Sequence, residues 1–374
     1  MISILIVASV PRSLLNFRGQ LIDLMMQKGF KVDVAAPGLI SSPYAMILEK
    51  KGCSVHDIAL QRTGLNPIAD WKALVSLYRL MRVVKPTHIL AYTIKPVIYG
   101  LLAAGFARIP HRYSLITGLG YAFTENSGFL QKIVKRISRC LYGAALKSSD
   151  CVFFQNPDDE KLFRELRILP STTTSKIING SGIDLRSFSP VALPDKPVFL
   201  LIARLLGNKG VREYAAAANI ILKSYPDVSF QIVGWIDDSP DAITGTELSS
   251  WIESGIIYLG KLDDVRPAIA KSSVYVLPSY REGTPRTVLE AMAMARPVIT
   301  TDAPGCRETV VHGYNGYLVK PKSVQSIVEA MEKFIVDNTL AVRMGKASRL
   351  IAEEKYDVHK VNLEILAGMG LFNS

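Results

Sequence analysis

The sequence predicts an α/β fold made of two doubly wound halves, on the strength of three observations. Short apolar runs alternate with amphipathic stretches along most of the 374 residues. A segment punctuated by Gly180, Gly182, Pro190, Pro194 and Pro197 interrupts that alternation near the middle. The chain is also long enough for two domains of ordinary size, each with a core of its own.

In the first half ISILIVAS (residues 2–9), KVDVAA (31–36), SVHDIAL (54–60), THILAY (87–92), HRYSLIT (111–117) and DCVFFQN (150–156) read as strands. Between them SLLNFRGQLIDLMMQKG (13–29), PIADWKALVSLYRLMRVVK (67–85) and FLQKIVKRISRCLYGAALKSS (129–149) repeat apolar residues at helical spacing. Strands alternating with helices imply a parallel sheet covered on both faces. The Gly- and Pro-rich stretch 175–197 reads as a linker. VFLLIAR (198–204), VSFQIVG (228–234), GIIYLG (255–260), SVYVLPS (273–279), RPVITT (296–301) and NGYLV (315–319) then supply a second set of strands. From Ser323 onward the pattern is helical. In such sheets ligands sit at the carboxyl ends of the strands, so the loops that follow each strand are where chemistry is expected.

Composition narrows the class. Cys53, Cys140, Cys151 and Cys306 are scattered, with no CxxC or Cys/His cluster, which fits buried thiols in a reducing cytoplasm. No basic residue precedes the first apolar run, so it reads as a buried strand rather than a secretion signal. The longest apolar candidate, PVIYGLLAAGFA (96–107), falls short of the ~18 residues a membrane span needs. Residues 1–180 carry 23 Lys+Arg against 11 Asp+Glu, whereas 181–374 carry 21 against 22. That asymmetry points the first half toward an anionic surface, lipid or nucleic acid, or else marks a solvated basic face. Neither a Gly-x-Gly-x-x-Gly nor a Walker motif follows the first strand.

The chemistry concentrates in REGTPRTVLEAMAMARPVITTD (281–302). The strand before it ends at Pro278 and Ser279, Gly283 turns the chain, Thr284 is a suitable N-cap and Pro285 a suitable first helical residue. The helix should run to about Ala295, and its N-terminus favours a phosphate. Glu282 lies before the helix and Glu290 about a turn and a half into it, so the two acids belong to different depths of one pocket. Ionised carboxylates only accept hydrogen bonds, which suits pairs of sugar hydroxyls. The same spacing also fits one exposed acid and one on the helix surface. ARLLGNKG (203–210) places Arg204 and Lys209 after the first strand of the second half, where both suit a pyrophosphate. Arg286 opposes the helix dipole, which makes sense if an anion or a carboxylate such as Glu308 lies opposite; otherwise it is a solvated charge. Asp237, Asp238, Asp263 and Asp264 read as loop caps, His88 and His111 as local caps at strand starts, and His312 as an ordinary residue of the turn VHGYNG.

With NGSGIDLRSFSP at the linker, ARLLGNKG, the Glu282/Glu290 pair and GYNGYLV in this order, the chain resembles the large retaining glycosyltransferase family of group 1, family 4 type. EGTPRTVLEAMAMARPVITTDAPGCRE resembles its subgroup that extends lipid-linked oligosaccharides of capsule and O-antigen. The resemblance implies the GT-B fold: an acceptor domain at 1–185, a nucleotide-sugar domain at 195–350 and a helix at 351–374 crossing back to the first domain. It implies that Arg204 and Lys209 bind the donor diphosphate, Glu290 the ribose and Glu282 the transferred sugar. Gly283, Thr284, Pro285 and Arg286 would meet phosphates or sugar, with Leu259 and Leu262 near the base. Arg204, Lys209 and Glu282 would carry the catalysis. It places the acceptor near Arg12, Asn16, Thr117, Gly118, Gly120 and Tyr121. Relatives often carry a histidine after a middle strand of the first domain; here ITGLGYAFTEN (116–126) has none, and Thr117 or the backbone of 118–121 takes its place.

The resemblance implies a reaction that moves a hexose or N-acetylhexosamine from a UDP-sugar to a polyprenyl-diphosphate-linked saccharide, with retention and without a metal, and the lack of any Asp-x-Asp agrees with that. The departing phosphate assists attack on the same face. The helix at 129–149 interleaves Lys132, Lys135, Arg136, Arg139 and Lys147 with Phe129, Ile133, Val134, Ile137 and Leu141, and fits either an anionic membrane surface or an ordinary core contact. The implied setting is the inner face of a bacterial cytoplasmic membrane. Two other readings stay open: a UDP-sugar 2-epimerase on the same architecture, and a basic nucleic-acid-binding protein. The first needs acid/base groups that five unclustered histidines do not supply, and the second a recognisable module that is missing.

Overall fold

The computed structural model describes residues 1–61, 66–119 and 129–372, residues 129–135 through their backbone alone. It divides into two compact units, Met1–Ser181 with Val361–Ser374, and Gly182–Lys360.

In the first unit the chain runs β1 (Ser3–Val7), α1 (Pro11–Gln27), β2 (Lys31–Ala36), α2 (Tyr44–Lys50), β3 (Ser54–Asp57), α3 (Pro67–Val84), β4 (His88–Tyr92), α4 (Ile94–Phe106), β5 (His111–Ile116), α5 (Phe129–Leu146), β6 (Cys151–Phe154), α6 (Pro157–Glu165) and β7 (Thr174–Ile177). The strands form one parallel sheet in the order β3-β2-β1-β4-β5-β6-β7. Successive residues of β1 point to opposite faces. Leu5 and Val7 join a core with Leu77 of α3, Leu101 of α4 and Tyr142 of α5. Ile4 and Ile6 join one with Leu14 and Ile22 of α1. The last segment closes that second face through Val361, Ile365 and Leu366, and the Tyr113 hydroxyl donates to the Met369 carbonyl at 2.6 Å.

Three elements differ from the sequence reading. PVIYGLLAAGFA lies in α4, a helix apolar on nearly every side because α3 and α5 flank it and the sheet lies beneath. The stretch read as linker begins with β7, a polar edge strand paired to β6. Helix α6 starts at Asn156, whose side chain accepts from the Asp159 amide at 2.8 Å, with Pro157 in its first turn. Cys53, Cys151 and Cys306 are buried, but Cys140 is exposed on α5, so the expectation of four buried thiols fails there. His88 and His111 open β4 and β5 with their rings stacked at 4.5 Å. Burial, then the neighbouring His111, holds the His88 imidazole down at about 4.

The second unit runs β8 (Val198–Ile202), α7 (Val211–Ser224), β9 (Ser229–Val233), α8 (Gly245–Glu253), β10 (Ile257–Tyr258), α9 (Arg266–Ala270), β11 (Val274–Leu277), α10 (Arg286–Ala293), β12 (Val298–Thr301), β13 (Gly316–Val319), α11 (Val324–Val336) and α12 (Asn338–Lys355); α13 (Val358–Gly368) follows and leads back into the first unit. Its sheet is parallel in the order β10-β9-β8-β11-β12-β13. Both sheets therefore reverse strand order once, between β1 and β4 in the first unit and between β8 and β11 in the second. Such switch points are where doubly wound sheets open a crevice for ligands.

Arg296 pins the second unit together. It is fully buried and donates to the carbonyls of Val191, Ala192, Ile269, Ala270 and Met294. Burial lowers it only to about 10, so it stays charged at neutral pH.

Candidate active site

At the β8/β11 switch point of the second unit, two loops are forced together. After β8 the chain makes a short 3-10 turn, Gly207–Lys209, which ends at Gly210 with φ of 70°. A side chain at Gly210 would meet the Pro278 carbonyl oxygen at 2.2 Å, so glycine is required both by conformation and by space. Across this contact the Tyr280 amide donates to the Asn208 carbonyl at 2.9 Å. The turn thus lies against the loop that follows β11.

That strapping brings Lys209 onto Glu282, Nζ to Oε1 at 2.5 Å, with both side chains mostly buried. Glu282 is fixed from behind as well. Its amide donates to the Pro304 carbonyl at 2.9 Å. A Cβ on Gly305, whose φ is 78°, would collide with the Glu282 carbonyl oxygen at 2.1 Å. Gly305 is a positioning residue that the sequence reading missed, since its reason is a contact with a loop some twenty residues away.

Helix α10 starts one residue later than expected. Pro285 occupies the N-cap with φ of −73° and ψ of 108°, no side chain caps the helix, and Thr284 is not the cap. A proline at this position already has the extended backbone that an N-cap needs. The helix stops at Ala293. Its first turn is tied to the end of β8, because the Thr287 hydroxyl and the Tyr275 hydroxyl bond each other at 2.6 Å and both reach the Ile202 carbonyl.

Arg286, the first residue of α10, finds Glu290 one turn on, Nε to Oε1 at 3.0 Å. An anion or a carboxylate such as Glu308 was expected opposite Arg286; the i,i+4 geometry of the helix supplies Glu290 as a carboxylate partner. A cation before an acid on a helix is the less favourable order, and both charges oppose the dipole at their positions. Glu290 is buried, and burial raises its carboxyl above the usual value although Arg286 pulls it down.

Arg204 meets Asp237 at 3.0 Å. Asp237 was read as a loop cap, and its other oxygen does accept from the Ser239 amide at 3.1 Å; the pairing with Arg204 is the part that spacing did not disclose. Asp264 accepts from the Arg266 amide and guanidinium. Leu259 follows β10 at the sheet edge, half-exposed, and Leu262 packs on the core under α10. The His312 Nδ1 accepts from the Leu318 amide at 3.1 Å. The structure therefore gathers Lys209 with Glu282 and Arg286 with Glu290 around Gly283, Thr284 and Pro285. It holds Arg204 on a third acid.

In the first unit Arg12 and Asn16 lie on α1 after β1, and Thr117 and Gly118 follow β5. Gly120 and Tyr121 lie outside the described residues, as do the side chains of Phe129, Lys132, Ile133, Val134 and Lys135. Between those strands β4 ends in Thr93, held at φ of 68° with its hydroxyl donating to Ser9 at 3.0 Å. A β-branched residue at positive φ is held there only by its surroundings.

The arrangement offers cations and a helix start that suit a diphosphate, and carboxylates that suit hydroxyls. Among the described residues no group of three or more His, Cys, Asp or Glu side chains converges as a metal site. Comparison with known proteins gives the chemistry a name elsewhere. Residues 196–337 match the family described as Glycosyl transferases group 1, and residues 4–156 the family Glycosyl transferase 4-like. An N,N'-diacetylbacillosaminyl-diphospho-undecaprenol alpha-1,3-N-acetylgalactosaminyltransferase of Campylobacter jejuni is 28% identical over 348 residues, 89% of each chain. A UDP-Gal:alpha-D-GlcNAc-diphosphoundecaprenol alpha-1,3-galactosyltransferase of Escherichia coli is 27% identical over 301 residues, 76% of each. The Anabaena protein HepE, solved in complex with UDP-glucose, superposes with a TM-score of 0.77 over 100% of both chains at 19% identity.

Proposed function

Because this chain belongs to the group 1 and 4-like glycosyltransferases, and folds in their GT-B manner, we propose that it moves a sugar from a UDP-sugar to a hydroxyl of a polyprenyl-diphosphate-linked saccharide, retaining the anomeric configuration. The observation that carries this reading is the packing of Lys209 on Glu282 and Arg286 on Glu290 at the switch point of the unit that matches the group 1 family. With the family given, the epimerase alternative lapses.

The roles follow from charge. Lys209 and Arg204 meet the donor diphosphate, where negative charge grows as the sugar becomes oxocarbenium-like. Fixed donors aimed at developing charge are usually the largest catalytic contribution. The N-terminal end of α10 adds to that field near Gly283 and Thr284. Glu290 accepts from the ribose hydroxyls and Glu282 from those of the transferred sugar, with Leu259 and Leu262 beside the base. Both acids are held by cations before the donor arrives, so their geometry is set in advance. The departing phosphate, rather than an enzyme carboxylate, assists attack of the acceptor hydroxyl on the same face. With two cations assigned to the diphosphate, the reading expects activity without added metal.

Arg12, Asn16, Thr117 and Gly118 serve the acceptor, which reaches them from an anionic membrane surface on the cytoplasmic side. No described helix is long and apolar enough to cross a membrane. A panel of sugar nucleotides offered with a synthetic polyprenyl diphosphate disaccharide tests all of this. One UDP-sugar should be consumed, in the presence of EDTA, to give a product with the donor's anomeric configuration by NMR. Inversion would remove the same-face mechanism, and loss of activity with EDTA would remove the metal-free assignment.

A further inference from the structure

Much of the basic excess of the first unit lies in one helical layer. Helices α3, α4 and α5 lie side by side on one face of the sheet, α4 in the middle. Together they contain eight Lys or Arg and a single acid, Asp70, which is paired with Lys95 at 2.7 Å. Helices α1, α2 and α13 on the other face hold four Lys or Arg against three acids, and α6 at the far end of the basic layer holds two against four.

Within this layer α3 is apolar on both sides. Its inner side buries Ala73, Leu77 and Met81 against the sheet. Its outer side presents Ile68, Trp71 and Val83, which are 69%, 65% and 80% exposed, between the exposed cations Lys72, Arg79 and Arg82. These positions recur at helical spacing, so they form one stripe along an 18-residue helix about 27 Å long. A helix facing water has no use for an outward Trp, Ile and Val, whereas an aromatic and aliphatic stripe flanked only by cations matches the boundary of an anionic bilayer. Phe106, at the end of the neighbouring α4, is 66% exposed as well.

We propose that the outer face of α3 lies in an anionic lipid surface, with Trp71 and Ile68 inserted and Lys72, Arg79 and Arg82 at the headgroups. The proposal rests on the membrane-borne acceptor of the reading above and names the surface that meets that membrane. It differs from the sequence expectation, which put the contact on α5. There the described apolar residue facing outward is Ile137, and Leu141 is partly turned into the core.

The test uses the full chain and vesicles of phosphatidylcholine with or without phosphatidylglycerol. Co-sedimentation should require the anionic lipid and fall with salt. Ile68→Ser with Trp71→Ser should weaken it about tenfold. Arg79→Gln with Arg82→Gln should weaken it about 25-fold, at about fivefold per cation. Ile137→Ser should leave it unchanged. Tryptophan emission should shift to the blue on binding and lose that shift in Trp71→Phe, although Trp235 and Trp251 remain. Transfer to a short-chain, water-soluble acceptor should be unaffected in every α3 variant, which separates this proposal from the donor chemistry. Unchanged vesicle binding in both α3 pairs, or binding lost only in Ile137→Ser, would overturn it. So would concentration-dependent self-association abolished by Trp71→Ser, since the stripe would then meet a second copy.

Discussion

Replacing Lys209 with Met separates what that cation does for the fold from what it does for the reaction. Glu282 and Lys209 are 15% and 18% exposed, so neither charge is well hydrated. Removing Lys209 takes a close ammonium partner from a largely buried carboxylate, which costs about 1–3 kcal/mol of stability at neutral pH. Adding Glu282→Gln removes that carboxylate charge and should restore most of that loss, because replacing both partners of a pair is far milder than removing one. Activity should follow a different course. A fixed donor to developing phosphate charge supplies about 10²–10³-fold in turnover, so Lys209→Met should lose that factor. The double variant should not recover it. Urea unfolding gives the stability and single-turnover consumption of UDP-sugar gives the rate, measured on the same three proteins. A double variant that regains both would show Lys209 to be a structural counter-ion, and the assignment of the diphosphate to it would be wrong.

Glu290→Gln should flatten the pH dependence of stability. Burial raises the Glu290 carboxyl above 4.5, so the folded state holds its proton more tightly than the unfolded chain and wild type loses stability relative to the variant as pH rises past 4.5 toward the raised value. Gly305→Ala forces a Cβ to within 2.1 Å of the Glu282 carbonyl at a positive φ, and should cost about 1–3 kcal/mol while lowering the affinity for UDP-sugar, read by calorimetry. Arg296→Met removes the donor to five carbonyls, of which Ile269 keeps the Ser272 amide and hydroxyl, and should cost about 3–5 kcal/mol in denaturant unfolding. His88 works in the opposite sense to Glu290: its folded value near 4 lies below 6.5, so stability present above 6.5 is lost as pH falls toward 4, and acid unfolding followed with His88→Phe should show a shallower loss.

The alternation of strand and helix made both sheets legible, because strands such as VFLLIA and CVFF are buried on both faces and carry nothing but apolar residues. Helix α4 was hidden by its own burial: a helix flanked by two others on a sheet shows no polar face, and its sequence resembles a short membrane run. β7 was hidden for the converse reason, since an edge strand of Thr, Ser and Lys looks like a linker. At the site, Arg204, Lys209, Glu282 and Glu290 stood out by spacing, yet their partners did not. The Arg286–Glu290 pair needed only the helical period to be seen. Asp237 and Gly305 depend on where separate loops come to rest, which no local pattern encodes.

Crystals grown with UDP test the central claim most directly. The account predicts the β-phosphate within hydrogen-bond reach of the Lys209 ammonium and the Arg204 guanidinium, with the ribose hydroxyls on the Glu290 carboxylate. UDP seated away from the β8/β11 loops, or Glu290 turned from the ribose while still bound to Arg286, would contradict it.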